Sequence, residues 1–144
     1  MSIALYQPEI AQNVGSIIRL GQCFNLPIQL IHPLGFIFSS KHMKRAGMDY
    51  IEKAEVEHFD DFTQFHQNKK GRLVLFDTKG KESLYNFAFQ PSDILLFGQE
   101  SKGVPDDVFA QCETSVFIPI QDRSLNLAMS CAIGAAFFKK QIFD

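Results

Sequence analysis

ILLFGQESKGVPDD, residues 94–107, decides how this chain folds. Its first four residues are apolar without alternation, which reads as a strand buried on both faces. Gly98, Gly103 and Pro105 then make a tight loop that lets backbone N–H groups approach a ligand closely. Pro105-Asp106-Asp107 opens a helix expected to run to Gln111, with an early proline and two carboxylates at the positive helix end. Strand, glycine loop and helix make one βα unit of a parallel sheet.

Similar units surround it. Residues 3–6 read as a first strand. Residues 12–24 follow with helical spacing, placing Val14, Ile17, Ile18, Gly21 and Phe24 on one face. Residues 28–31 form a second strand closed by Pro33 and Gly35, and 39–46 a short basic helix. A weaker strand spans 56–59, and Asp60-Asp61 starts a helix through Gln67. Strong strands at 73–76 and 94–97 and a last strand at 116–118 precede a terminal helix. The stretch 79–92 is the longest without a pattern and reads as a mobile loop. Doubly apolar strands alternating with helices predict an α/β fold, a parallel sheet with helices on both faces. Without a linker, repeat or low-complexity tract, residues 1–144 read as a single domain.

Composition narrows the function classes. With 46% hydrophobic and 21% charged residues over 144 positions, the chain can bury a core. A net charge of −2 argues against coating nucleic acid by bulk charge, though it leaves room for a local basic patch. Cys23, Cys112 and Cys131 are odd in number, lack a CxxC pair and fall in predicted helices, so they read as buried free thiols in a reducing cytoplasm. The N-terminus lacks the basic and apolar regions of a signal peptide. Residues 124–138 carry no charge, yet they include Ser, Asn and Gly and fall short of the about 20 apolar residues that a membrane span needs. They read as a buried helix of a soluble protein. The histidines His32, His42, His58 and His66 are scattered without metal-ligand spacing, so no metal is expected. There is no Walker phosphate loop, no GxGxxG turn and no marked Ser-His-Asp triad.

Ligands of parallel sheets gather at the carboxyl ends of strands, and three strand ends here hold unusual residues. After the first strand, Asn13 is expected to cap a helix, and Gly15 and Arg19 share a face turned from the apolar stripe. After 94–97 comes the glycine loop. After the last strand come Asp122, Arg123, Ser124 and Asn126, with Ser124 the expected cap of the terminal helix. Taken singly, Arg19 also reads as a surface cation, and the glycine loop as an ordinary βα turn.

Together, NVGSIIR (13–19), FGQESKGVP (97–105) and IPIQDRSLNLAMS (118–130) resemble, in order and spacing, the three motifs of the SPOUT methyltransferases. YQPEIAQNVG, HPLGF and KRAGMDY extend the resemblance over nearly the whole chain and towards the small tRNA (cytidine/uridine-34-2′-O)-methyltransferases. The resemblance implies a C-terminal trefoil knot, which is an exception to ordinary chain connections. It implies S-adenosyl-L-methionine as methyl donor and a homodimer packed through the first and last helices, which would cover both faces of the uncharged terminal helix. It implies the wobble nucleotide of a tRNA anticodon stem-loop as substrate. By motif position it assigns catalysis to Asn13, Arg19, Glu100 and Asn126, and cofactor binding to Phe76, Gly98, Ile118 and Ser124. The turn Gln121-Asp122 is shorter than the family pattern. Lys41, Lys44 and Arg45 form a basic segment, with Lys79 and Arg123 at the same mouth, and are the candidate RNA contacts; a solvated helix face is the plainer reading. A 2′-O-methyltransferase of ribosomal RNA and a non-catalytic RNA-binding dimer are the alternative functions.

Overall fold

Seven strands lie side by side in the order β3-β2-β1-β6-β4-β7-β5, and every pairing is parallel. This is the arrangement in a computed structural model that describes residues 1–45 and 49–143. The strands are β1 Ser2–Tyr6, β2 Ile28–Ile31, β3 Val56–Phe59, β4 Leu73–Phe76, β5 Glu82–Ser83, β6 Ile94–Phe97 and β7 Thr114–Phe117. The helices are α1 Ala11–Phe24, α2 Ser40–Arg45, α3 Phe62–Asn68, α4 Asp106–Ala110 and α5 Leu127–Phe143, with a 3-10 turn at Asp49–Lys53. The predicted basic helix over 39–46 ends, as described, at Arg45; Ala46 lies outside the described residues.

Strand geometry explains the doubly apolar runs. Successive side chains point to opposite faces, so each central strand feeds two cores. Ile3, Leu5, Val74, Phe76, Leu95 and Phe97 pack on one face with Val14, Ile17 and Ile18 of α1 and Cys131, Ala135 and Phe138 of α5. Their neighbours Ala4, Tyr6, Leu73, Leu75, Ile94 and Leu96 pack on the other with Phe62 and Phe65 of α3 and Val108 of α4. Each fully buried Leu or Phe contributes about 1.5–3 kcal/mol, which is why Leu73–Phe76 and Ile94–Phe97 are apolar in both phases of the strand pattern. In-register pairing of Leu5 with Phe97, and of Phe76 with Phe97, brings the carboxyl ends of three central strands level.

Four details depart from the sequence expectations. The last strand begins at Thr114 and ends at Phe117. Helix α3 begins after Asp61, whose carboxylate caps it by accepting the Gln64 N–H at 2.7 Å. Cys23 is exposed and Cys112 lies beyond α4, whereas Cys131 is buried as expected. The segment 79–92 is anchored: β5 pairs with β7, Leu84, Phe87 and Phe89 are buried, and Gln141 of α5 bonds the backbone of Phe87 and Phe89 at 2.9 and 3.0 Å. Its aromatic residues Tyr85, Phe87 and Phe89 alternate, but the buried residues are Leu84, Phe87 and Phe89 while Tyr85 is exposed, so neither a strand nor a helix period marked the burial.

The amino ends of the strands are closed by charge. Asp93 is fully buried, and Arg72 donates to both of its carboxylate oxygens at 2.9 and 2.8 Å. Glu113 accepts the Leu73 N–H at 2.7 Å and pairs with Lys69. Among the described residues no helix is long and apolar enough to cross a membrane.

Candidate active site at the carboxyl ends of the strands

At the opposite edge the chain leaves a pocket of about 570 Å³. Phe76 and Phe97, stacked with centroids 4.7 Å apart, contribute to its wall with Ile118 and Leu127. The polar side is lined by Asp77, Thr78, Lys79, Gln99, Glu100, Ser124, Asn126 and Ser130. The glycine loop is held shut by reciprocal backbone bonds between Gln99 and Gly103, both 2.9 Å. Gly103 has φ +66°, and a Cβ on Gly98 would come within 2.4 Å of the Gly103 backbone. Both glycines are therefore required by this loop.

A line of polar side chains joins the three motif segments. Glu100 accepts the backbone N–H groups of Glu9 at 2.8 Å and Ile10 at 3.1 Å. It also accepts Asn13 Nδ2 at 3.3 Å, while Asn13 Oδ1 accepts Asn126 Nδ2 at 2.9 Å. Asn126 Oδ1 in turn accepts the N–H of Ala128 at 2.8 Å and of Met129 at 3.4 Å, capping α5. The order is Glu100, Asn13, Asn126, α5.

Two expected caps are corrected by this line. Asn13 is not the cap of α1; it is buried within the helix, the cap residue is Ile10 with no side-chain bond, and Glu100 accepts the N–H groups of Glu9 and Ile10 just before the helix. Ser124 does not cap α5 either, because the helix starts at Leu127 and Asn126 takes that role. Gly15 is buried as well, so it does not share the exposure of Arg19.

Of the other residues singled out from the sequence, Phe76, Gly98, Ile118, Ser124 and Lys79 line the pocket together with Asn13, Glu100 and Asn126. Arg19 is not among the lining residues; it is exposed on α1, about 9 Å along the helix axis from Asn13. Lys41 and Arg123 are exposed and likewise outside the lining. Lys44 is ion-paired with Glu52, and nothing is described of the Arg45 side chain. Among the described residues no group of three or more His, Cys, Asp or Glu side chains is placed to hold a metal.

Some residues at this edge carried little signal in the sequence. Gln7, directly after β1, has φ +45°, and its Oε1 accepts Gln99 Nε2 at 3.1 Å. Such left-handed backbone is uncommon outside glycine and clusters at functional sites. Asp77 turns the chain after β4, its Oδ1 accepting the Lys79 N–H at 2.8 Å. Glu9 accepts both the N–H and the hydroxyl of Ser101. Of these, only Glu9 had a sequence cue, an acidic residue beside a predicted helix start.

Comparison with known proteins gives this edge a family. A tRNA (cytidine(34)-2'-O)-methyltransferase of Beijerinckia indica is 43% identical over 136 residues, covering 91% of this chain and 85% of the relative. A solved structure described as giving structural insights into the 2-OH methylation of C/U34 on tRNA superposes with a TM-score of 0.91 at 38% identity, covering 99% of this chain and 95% of that one. A SpoU methyltransferase from Streptomyces viridochromogenes, solved in complex with AdoMet, has a TM-score of 0.86 at 18% identity over 99% of this chain and 60% of its own, a likeness of fold alone. The profile of the SpoU rRNA Methylase family matches residues 1–136, a span that contains all three segments converging on the pocket. The chain belongs to the SpoU rRNA Methylase family.

Proposed function

We propose that this protein transfers a methyl group from S-adenosyl-L-methionine to the ribose 2′-hydroxyl of the wobble nucleotide in a tRNA anticodon stem-loop. The observation that carries the reading is the joining of Glu100, Asn13 and Asn126 across three strand ends beside one half-apolar pocket. The names of the Beijerinckia relative and of the tRNA-methylation structure support the substrate.

The pocket suits the donor chemically. Phe76, Ile118 and Leu127 offer an apolar surface for a purine, and Gly98 and Gly103 admit close backbone approach. Asp77, Thr78 and Ser124 offer polar groups for ribose hydroxyls and the amino-acid end. S-adenosylmethionine supplies a methyl already activated by the sulfonium, so the chain must align the ribose oxygen and dispose of its proton. Glu100 is a poor candidate for that proton, since its two oxygens already accept three N–H donors. Arg19 presents only N–H donors and no acceptor, so it does not take that proton itself. It grips a phosphate beside the target ribose and lowers the cost of forming an alkoxide, while phosphate oxygen or water takes the proton. Asn13 and Asn126 orient the groups at the mouth of the pocket. Lys41, Lys44, Arg45, Lys79 and Arg123 supply phosphate contacts, which position RNA without reading its sequence.

The reading takes residues 1–144 as one SPOUT domain acting in the cytoplasm as a homodimer. An uncharged stretch from Ser124 to Phe138, with Met129 57% exposed on α5 and Ile10 44% exposed before α1, supports a partner across these helices. A trefoil knot is supported by β4 lying between β6 and β7 and by the chain returning after β7 to pack α5 on α1.

The test offers the protein labelled donor with three RNAs: tRNA, the same tRNA carrying a 2′-deoxyribose at the wobble position, and ribosomal RNA fragments. Label in the first alone is expected. Label in the deoxy-substituted tRNA at equal level contradicts the assigned atom, label in ribosomal RNA alone contradicts the substrate, and label in none favours a non-catalytic binder.

A further inference from the structure

Two glutamates cross between the turn before α1 and the glycine loop. Glu100 reaches from the loop to the backbone N–H groups of Glu9 and Ile10. Glu9 reaches the other way: its Oε2 accepts the Ser101 N–H at 2.9 Å and its Oε1 accepts the Ser101 hydroxyl at 2.7 Å. Each segment's carboxylate thus holds the other segment's backbone, with some ninety residues of chain between them. Within the loop, the Gln99–Gly103 pair of backbone bonds adds to this crossing.

Glu9 does not line the pocket, whereas residues 97–104 of the loop do. Ser101 is exposed, so neither member of the contact fills the core. A carboxylate accepting a neutral donor pair at an exposed site adds little to global stability, but it fixes a loop in one geometry. The turn is also held from behind. Gly35 donates its N–H to Pro8 at 2.9 Å, and a Cβ at Gly35 would meet Glu9 Cα at 2.8 Å. Glu9 is therefore fixed in place when it receives Ser101.

We propose that Glu9, acting through Ser101, is a positioning residue for methyl transfer, holding the 98–103 loop in the shape that forms the donor pocket. The inference rests on the methyltransferase reading above. The ionised side chain suits the role, because both of its oxygens accept. The two bonds from Ser101, with a smaller contribution from Lys102, hold the Glu9 carboxyl below the ordinary glutamate range against a small opposing effect of burial. Glutamine at this position has the same shape but turns an NH₂ towards one of the two donors, so Glu9→Gln breaks half the contact with little change in volume.

The experiment compares wild type, Glu9→Gln, Ser101→Ala and the double variant. It measures transfer kinetics on tRNA, S-adenosylhomocysteine affinity by calorimetry, and melting temperature. Glu9→Gln is expected to raise the KM for donor and the Kd for S-adenosylhomocysteine about tenfold, with the KM for tRNA and the melting temperature unchanged. The double variant is expected to be no worse than the worse single one, since the two changes break the same contact. Donor KM and S-adenosylhomocysteine Kd at wild-type values in Glu9→Gln overturn the proposal. So does a loss of affinity matched by a fall in melting temperature, or additive effects in the double variant. Wild-type protein that binds S-adenosylhomocysteine but methylates no tRNA contradicts the substrate reading and leaves the loop role tested by the Kd shift. Wild-type protein that binds no S-adenosylhomocysteine overturns both.

Discussion

The two ends of the sheet use charge in different ways. At the amino ends, charges meet opposite charges: Arg72 with buried Asp93, and Lys69 with Glu113. At the carboxyl ends, Glu9 and Glu100 meet backbone N–H groups and side-chain hydroxyl or amide donors, with no cation in the hydrogen bonds that hold them. The first arrangement ties the strand ends to one another. The second ties loops together around a pocket and leaves the pocket's polar side open. The same residue type therefore stabilises at one end and shapes a site at the other, and substitutions should separate the two roles.

The largest effect is expected from Arg19→Ala, which should lower methyl transfer at least about a hundredfold while donor affinity stays within about twofold, the pattern of a contact made in the transition state. Steady-state kinetics with calorimetry checks it; equal losses in both would make Arg19 a structural or donor-binding residue. Asp93→Ala should show the converse. It strands Arg72, which is partly exposed and can recover some water, so the loss of unfolding free energy should be about 2–3 kcal/mol with donor affinity unchanged. Urea titration measures it, and a loss of donor affinity would erase the distinction between the ends.

Asn126→Ala touches both roles. Losing the α5 cap should lower stability by about 1 kcal/mol, and losing the hold on Asn13 should lower transfer about tenfold. The smallest effect concerns pH. Burial pushes the Glu113 carboxyl up, but the bond from Lys69, the bonds from the N–H groups of Leu73 and of Glu113 itself, and the charge of Lys69 together leave it below the ordinary glutamate range. Its contribution is complete above the unfolded value of about 4.3 and is lost as pH falls through the lower folded value. Melting curves of wild type and Glu113→Gln should therefore differ at pH 6 and converge as the pH falls below about 4. A constant difference across that range would contradict the assignment.

The fold was legible because its signals were local. Uninterrupted apolar runs such as Ile94–Phe97 and Leu73–Phe76 marked strands flanked by two cores, and their boundaries match the observed ones. The segment 79–92 was misread because its burial depends on α5 and β7, far away in sequence. The site was legible as three segments, and the polar line linking them was not. Asn13 has the residue type of a cap, but it lies within α1, where it donates to Glu100, 87 residues away in sequence, and accepts from Asn126. Glu9 escaped for the same reason, since its partner Ser101 lies 92 residues away.

The most direct measurement is mass spectrometry of nucleosides and of the anticodon fragment from tRNA incubated with the protein and isotope-labelled S-adenosylmethionine. A labelled 2′-O-methyl nucleoside at the wobble position, absent with Arg19→Ala, is the predicted result. Labelled methyl on a base, at another ribose, or nowhere in the anticodon loop would contradict the assignment of the carboxyl end of the sheet to this reaction.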